Sequence, residues 1–90
     1  MRCSRPVQSD AGEDVVLIIE AARGSREAFG ALYGRHAGAV ATLARRVLGA
    51  GAEADDLVHD VFLEAWARAG DFDPSRGSVR AWLLVRTRSR

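Results

Sequence analysis

The sequence predicts a compact all-α domain of three or four helices. Apolar residues recur at spacings of three and four in separate segments, no segment alternates strictly between apolar and polar residues, and glycine- or proline-rich stretches separate the segments. Ninety residues suffice for one small hydrophobic core. We therefore expect a single domain over residues 13–90, preceded by a loose polar tail at residues 1–12.

The first two helices are separated by a short turn. A helix is predicted over residues 14–22, and it ends near Gly24, a residue that tolerates a positive φ. Ser25 has the position of an N-cap for the second helix. That helix shows the strongest apolar periodicity in the chain, on a stripe formed by Phe29, Leu32, Tyr33, His36, Val40, Leu43, Ala44 and Val47.

The third helix follows the glycine-rich residues 49–52, and acidic residues occupy its first turn, where a helix favours negative charge. At about 100° per residue its apolar side chains share one side. These are Leu57, Val58, Val61, Phe62, Ala65 and Ala69. The opposite side carries Glu53, Asp56, His59, Asp60 and Glu64, with Leu63 in its middle.

A loop over residues 70–78 precedes the last helix. Pro74 disfavours the helical conformation at Asp73, and Ser78 can cap the helix that follows. This last helix has Val79, Trp82 and Leu83 on one face.

Composition and charge limit the kind of protein this is. The chain is 48% apolar, no apolar run approaches the ~20 residues of a membrane span, and no apolar segment follows the N-terminal arginines as in a secretory signal. Cys3, the only cysteine, cannot form a disulfide within the chain. We therefore expect a cytoplasmic protein.

Residues 53–73 hold seven acidic residues against one arginine, and residues 74–90 hold five arginines and no acid, so either the two blocks pair or each has its own partner.

The acidic side of the third helix admits three interpretations. Asp56, His59 and Asp60 share a helical face and could bind a metal, but metal sites in helical bundles draw ligands from facing helices, and the other histidine, His36, lies on an apolar stripe. A solvated face is ordinary, yet these acids lack basic partners at i+4, and Leu63 lies among them with Trp66 at the border. An apolar anchor inside a polar rim favours a docking surface for another protein.

The C-terminal arginines, together with Phe72 and Trp82, suit a single-stranded nucleic acid, because arginines neutralise phosphates and aromatic rings stack on unpaired bases. The position of Trp82 on the apolar face of the last helix, however, favours a core position for its side chain over stacking on a base. A helix-turn-helix is disfavoured because residues 70–78 are too long for its turn.

Three collinear stretches, GSREAFGALYGRH from Gly24, EADDLVHDVFLEAW from Glu53 and FDPSRGSVRAWLL from Phe72, resemble the second conserved region of bacterial RNA polymerase sigma factors of the extracytoplasmic-function type. The resemblance implies an all-helical domain whose third-helix motif binds the basic clamp helices of the largest subunit of core RNA polymerase. The residues in these positions are Asp56, Leu57, His59, Asp60, Phe62, Leu63 and Trp66. His59 replaces a usual glutamine and Asp60 a usual glutamate.

The resemblance also implies that the loop and the last helix recognise the promoter −10 element and hold its non-template strand, with one base flipped into a pocket of the loop. Phe72, Asp73, Ser75, Arg76, Gly77 and Ser78 would frame the pocket, and Arg80, Arg86, Arg88 and Arg90 would contact the DNA backbone. Ser89, where asparagine is usual, and Arg86, where isoleucine is usual, belong to the same DNA-binding segment, as does Trp82.

Sigma factors of this type carry a further helical domain that recognises the −35 element. These 90 residues do not supply it, so we expect a fragment of a longer protein. The resemblance implies a transcription factor without a cofactor or enzymatic activity. An anti-sigma factor is an expected partner, and the alternative function is an interaction module held by that factor without engaging DNA.

Overall fold

The computed structural model describes residues 6–89, with side chains from residue 12 onward. It contains four α-helices, α1 (Pro6–Ala22), α2 (Arg26–Leu48), α3 (Ala52–Ala67) and α4 (Val79–Arg88), with two 3₁₀ turns, Ala69–Asp71 and Pro74–Arg76, between α3 and α4. Residues 6–89 include no strand, and the predicted all-α class is confirmed. The predictions made for residues 1–5, including Cys3, and for Arg90 lie outside the described residues.

Helix α1 begins at Pro6, earlier than the predicted start at Asp14. Proline is favoured in the first turn of a helix, whereas the prediction relied on apolar periodicity, which this segment lacks. The turn after α1 agrees with the prediction: Gly24 has a φ of 101°, and the Ser25 hydroxyl accepts a hydrogen bond of 3.1 Å from the Ala28 N–H at the start of α2.

Helix α2 lies at the centre of the fold, where it packs against α1, α3 and α4. Leu32, Val40 and Ala44 on its predicted stripe are buried, but Tyr33 and Val47 lie at the edge of the stripe and are exposed. The helix ends at Leu48 and is capped by Gly49, which has a φ of 82° and donates its N–H to the Arg45 carbonyl at 2.8 Å.

Helices α3 and α4 close the core against α2. All six residues of the predicted apolar side that begins at Leu57 are buried. In α4, Val79 and Leu83 are buried, and the buried Thr87 hydroxyl donates to the Leu83 carbonyl at 2.9 Å. No helix within residues 6–89 is long and apolar enough to cross a membrane.

Candidate functional site

The outer side of α3 is an acidic surface around one apolar residue. Asp56, His59 and Asp60 are exposed, and Leu63 between them has 55% of its surface exposed, as predicted. A leucine this exposed among carboxylates has the composition of an anchor within a polar rim. We call this set, Asp56, His59, Asp60 and Leu63, the α3 face.

Two residues that the resemblance assigns to polymerase binding lie on the other side of the helix. Leu57 is 7% and Phe62 4% exposed, and both pack in the core. The family motif is contiguous, but a helix turns consecutive residues to different sides, so these two side chains are directed mainly into the core. Their packing instead fixes which side of α3 faces outward.

An aromatic cluster borders the α3 face. Phe29 lies 5.1 Å from Trp66 and 6.2 Å from Phe62, and Tyr33 lies 4.7 Å from Phe62, measured between ring centroids. Trp66 is half-buried, and Tyr33 is 47% exposed. The sequence pattern placed Tyr33 on the core stripe and missed it as a surface residue. Only its position at the edge of that stripe could have indicated exposure.

The charges of the α3 face are largely unneutralised. The expectation that no acid of this side has a basic partner at i+4 is wrong for Glu64, which lies 3.6 Å from the Arg68 guanidinium. Within residues 12–89, no basic side chain forms an ion pair with Asp56 or Asp60. Like charges on one helix side oppose each other, and a basic partner would relieve that repulsion.

A groove of about 520 Å³ adjoins the α3 face, and Leu48, Glu53, Asp56, Leu57, Asp60 and Ser89 line it. Ser89, expected at the DNA, lies in this groove and donates its hydroxyl to the Arg86 carbonyl at 3.2 Å. Among the described residues, no group of three or more histidine, cysteine, aspartate or glutamate side chains is arranged to hold a metal ion.

A second cleft, of about 340 Å³, lies between the loop and α4, and we call it the loop cleft. It is lined by Asp71, Phe72, Asp73, Arg76, Gly77, Ser78, Ala81, Trp82 and Val85. Five of the six residues expected to frame a base pocket therefore line it, and Ser75 does not. Sequence reasoning missed Asp71, which precedes Phe72 in the loop itself, and it missed Ala81 and Val85, which reach the cleft only because α4 packs beside the loop.

Hydrogen bonds within the loop shape the rim of the cleft. Asp73 Oδ1 accepts from the Ser75 N–H at 2.9 Å and from the Ser75 hydroxyl at 2.7 Å. The Ser75 side-chain and backbone donors lower the pKa of Asp73, so its carboxylate is ionised at neutral pH. Gly77 has a φ of 143°, and the Ser78 hydroxyl caps α4 by accepting from the Ala81 N–H at 3.0 Å. Ser75 thus holds the Asp73 carboxylate at the rim of the loop cleft without lining the cleft itself.

The inner wall of the cleft is aromatic. Phe72 and Trp82 meet edge to face, with ring centroids 5.6 Å apart. Trp82 is half-buried and also packs against the core, so it belongs to both the core and the cleft. The Arg86 guanidinium carbon lies 4.3 Å from the centroid of the Trp82 ring, a cation–π contact.

A buried network behind the cleft joins α1, α2 and α4. His36 is 3% exposed; Arg80 Nε donates to its Nδ1 at 3.1 Å, and its Nε2 lies 2.8 Å from Asp14 Oδ2. Asp14 also pairs with Arg35 Nε at 2.8 Å. Burial lowers the pKa of His36 despite the opposing effect of Asp14, so the ring is neutral near pH 7 and its proton lies on Nε2, facing Asp14. The placement of His36 at the core is confirmed, but its partners could not be foreseen.

Comparisons with known proteins agree with the fold. Residues 32–90 match the family model described as Sigma-70 region 2. The RNA polymerase sigma factor CnrH of Cupriavidus metallidurans is 44% identical over 71 residues, and the RNA polymerase sigma factor NccH of Alcaligenes xylosoxydans xylosoxydans is 39% identical over 76 residues. The ECF RNA polymerase sigma factor SigK of Mycobacterium sp. strain KMS is 37% identical over 70 residues.

These matches cover 79%, 84% and 78% of this chain but only 37%, 40% and 36% of the CnrH, NccH and SigK sequences, respectively. The chain therefore spans less than half the length of these relatives. A solved structure of CnrH in complex with the cytosolic domain of CnrY superposes with a TM-score of 0.72 at 41% identity, covering 86% of this chain and 52% of that one.

Proposed function

The chain belongs to the Sigma-70 region 2 family, and from that premise we propose that it is a transcription initiation factor domain of the extracytoplasmic-function type. In this proposal it binds core RNA polymerase, and it recognises and helps to open the promoter −10 element. It acts in the cytoplasm as a regulatory protein and not as an enzyme. The supporting observation is that one small domain presents both an unneutralised acidic surface with an apolar anchor and a separate aromatic cleft rimmed by polar loop residues.

The α3 face is the proposed contact with the clamp helices of the largest polymerase subunit. Those helices are basic, and Asp56 and Asp60 have no basic partner within residues 12–89, so association would neutralise both sides. Leu63 supplies the apolar anchor, and Trp66 and Tyr33 extend the surface. His59 is exposed on the same face and contributes a ring nitrogen where the family usually has an amide.

The loop cleft is the proposed site of the unpaired −10 base. Phe72 and Trp82 provide an aromatic surface, and the polar rim includes the Asp73 carboxylate and Ser78. A base is stabilised outside the duplex when stacking and hydrogen bonds together offset the few kcal/mol lost on unstacking. A cleft of about 340 Å³ with one aromatic wall and one polar rim provides both kinds of contact.

The first test is capture of the chain by immobilised core RNA polymerase. Replacing Leu63→Arg together with Asp56→Arg removes the anchor and reverses a charge, and we expect roughly tenfold or greater loss of capture, because buried interface anchors each contribute about 2 kcal/mol or more. The matched control is Val16→Arg with Glu20→Arg, which makes the same two kinds of change on exposed positions of α1.

Both double variants should retain the circular dichroism spectrum of the wild-type chain, since all four positions are exposed. Capture that survives the α3 substitutions, or that is lost equally in the α1 control, would refute polymerase binding through the α3 face.

A second candidate function is an interaction module sequestered by an anti-sigma factor without engaging DNA. The observation that favours it is the solved complex of CnrH with the cytosolic domain of CnrY. The two functions differ in one measurable property, because only the first requires that a DNA strand be retained once core polymerase is present. The second function would be supported if the chain binds an anti-sigma domain and core polymerase retains no more DNA strand with the chain than without it.

A further inference from the structure

The arginines of the loop and α4 differ in what their guanidinium groups contact. Two of them, Arg80 and Arg86, are engaged by other parts of the protein, and two, Arg76 and Arg88, are exposed and form no side-chain hydrogen bond or ion pair with the described residues. We propose, on the basis of the proposed function, that Arg80 and Arg86 are positioning residues that hold the loop cleft in shape, whereas Arg76 and Arg88 contact the phosphates of the bound strand. This replaces the expectation that Arg80 and Arg86 contact the DNA backbone.

Arg80 connects the first turn of α4 to α2. Its Nε donates to His36 Nδ1 at 3.1 Å, and its Nη2 donates to the Arg35 carbonyl at 3.0 Å. If Arg80 turned toward a phosphate, His36 Nδ1 would remain in the interior as an acceptor without a donor, which is unfavourable. Because Arg80 lies two residues after Ser78, the same bonds fix the end of the loop that forms the cleft rim.

The His36 acceptor is in turn held by neighbours on other helices. The charged groups that face its ring are Asp14 from α1, Arg35 on α2 and Arg80 from α4. The neutral ring accepts from Arg80 on one nitrogen and donates to Asp14 from the other. A protonated ring would carry a hydrogen on both nitrogens and would lose the acceptor that Arg80 requires.

Arg86 supports the aromatic wall of the cleft. It is half-buried, its guanidinium lies over Trp82, and its Nε is buried without a hydrogen-bond partner among the described residues. Arg86 does not line the cleft itself, whereas Trp82 and its neighbour Phe72 do. The cation–π contact therefore acts on the bound base only through the orientation of Trp82.

Arg76 and Arg88, unlike Arg80 and Arg86, are not held by side-chain hydrogen bonds or cation–π contacts with the described residues. Both are exposed, and neither forms a side-chain hydrogen bond or ion pair with the described residues. Arg76 also lines the loop cleft. A guanidinium that forms no hydrogen bond or ion pair in the unbound protein can neutralise a phosphate without breaking such a bond, and it contributes to the salt dependence of binding.

The test measures how salt affects strand binding by single Arg→Gln variants at residues 76, 80, 86 and 88. Each variant is assembled on core RNA polymerase and titrated with a fluorescein-labelled single-stranded DNA of randomised sequence, with core polymerase alone as the blank. Slopes of log affinity against log salt are compared between variants, so the contribution of the polymerase itself cancels. Arg23→Gln, at an exposed position after α1, is the charge-matched control and should leave both slope and affinity unchanged.

We expect R76Q and R88Q each to reduce the magnitude of the slope by about 0.7, the value for one lost phosphate contact on a single strand. R80Q and R86Q should weaken binding roughly tenfold with an unchanged slope. R86K, which keeps a cation over Trp82, should restore most of the affinity. A reduced slope in R80Q or R86Q, or an unchanged slope in both R76Q and R88Q, would overturn the inference.

A second measurement needs no DNA. In nuclear magnetic resonance spectra of the free chain, the Nε–H groups of Arg80 and Arg86 should exchange with solvent more slowly than those of Arg76 and Arg88. Fast exchange at Arg80 would contradict its bond to His36. The two measurements can also disagree. If the wild-type chain adds no strand binding to core polymerase but Arg80 and Arg86 exchange slowly, the proposed function is refuted, whereas the internal contacts of Arg80 and Arg86 are supported.

Discussion

His36 joins three of the four helices through the two nitrogens of one ring. Asp14 on α1 accepts from it and Arg80 on α4 donates to it, so the ring must be neutral to serve both. Burial is the main cause of its lowered pKa, and the nearby cations Arg80 and Arg35 act in the same direction. A buried neutral histidine with two different partners makes the stability of the fold depend on pH.

The free energy of unfolding should therefore decrease as pH falls below the ordinary histidine pKa of 6.5. In that range the unfolded chain binds a proton at His36 and the folded chain does not, until pH reaches the lowered folded-state pKa. Each unit of pKa depression corresponds to about 1.4 kcal/mol. Urea denaturation at a series of pH values measures the effect.

His36→Leu should lower stability at neutral pH, because Arg80 and Asp14 lose their partner, and should flatten the dependence near pH 6. His59→Gln, at the exposed histidine on α3, should leave the dependence intact. An identical pH profile in the wild type and in His36→Leu would contradict this account of the network.

Side-chain partners were the least predictable feature at this scale. Periodicity placed His36 at the core and Leu63 at the surface, because both positions follow from the angle that each residue takes around its helix. The pairing of His36 with Asp14 joins residues 22 apart in sequence and depends on how α1 packs against α2. The engagement of Arg80 depends likewise on the packing of α4, so a run of arginines gave no indication of which ones the protein itself holds.

Serine caps define two of the helices. Ser25 and Ser78 each accept a hydrogen bond from the N–H three residues later, at 3.1 and 3.0 Å. Their local roles are equal, but their surroundings differ, because Ser78 also lines the loop cleft and Ser25 does not. Comparing substitutions of Ser25 and Ser78 therefore distinguishes a loss of helix stability from a change in the geometry of the loop cleft.

Ser78→Ala and Ser25→Ala should each lower the free energy of unfolding by about 1 kcal/mol, the usual contribution of an N-cap serine. Only Ser78→Ala should weaken strand binding by the chain on core polymerase. Urea denaturation and fluorescence anisotropy measure the two effects. Equal losses of strand binding in both variants would mean that the cleft responds to general stability and not to the cap of α4.

Helix types and caps were predictable where local chemistry determines them. The two serine caps, the positive φ of Gly24 and the buried side of α3 all follow from residue type and spacing. The early start of α1 at Pro6 was not predicted, because no apolar pattern marks it. The loop cleft was only partly predicted, since two of its lining residues, Ala81 and Val85, reach it through the packing of α4.

The whole molecule presents two chemically different surfaces on one core. Helix α2 packs against the other three helices, and this arrangement directs the α3 face to solvent while α4 closes the loop cleft. The unneutralised carboxylates of the α3 face suit a basic protein partner, and the aromatic cleft, which Arg76 also lines, suits an unpaired strand. In the proposed function, one domain uses these two surfaces to connect a polymerase to an opened promoter.

The most direct test of this account is native gel electrophoresis of a fluorescent single-stranded DNA pool with core RNA polymerase, with and without the 90-residue chain. We predict a retained strand band that requires both proteins and disappears with Leu63→Arg and Asp56→Arg. Sequencing of the retained strands should show enrichment of a common short element. Strand retention that is the same with and without the chain would contradict the central claim that the domain joins core polymerase to promoter DNA.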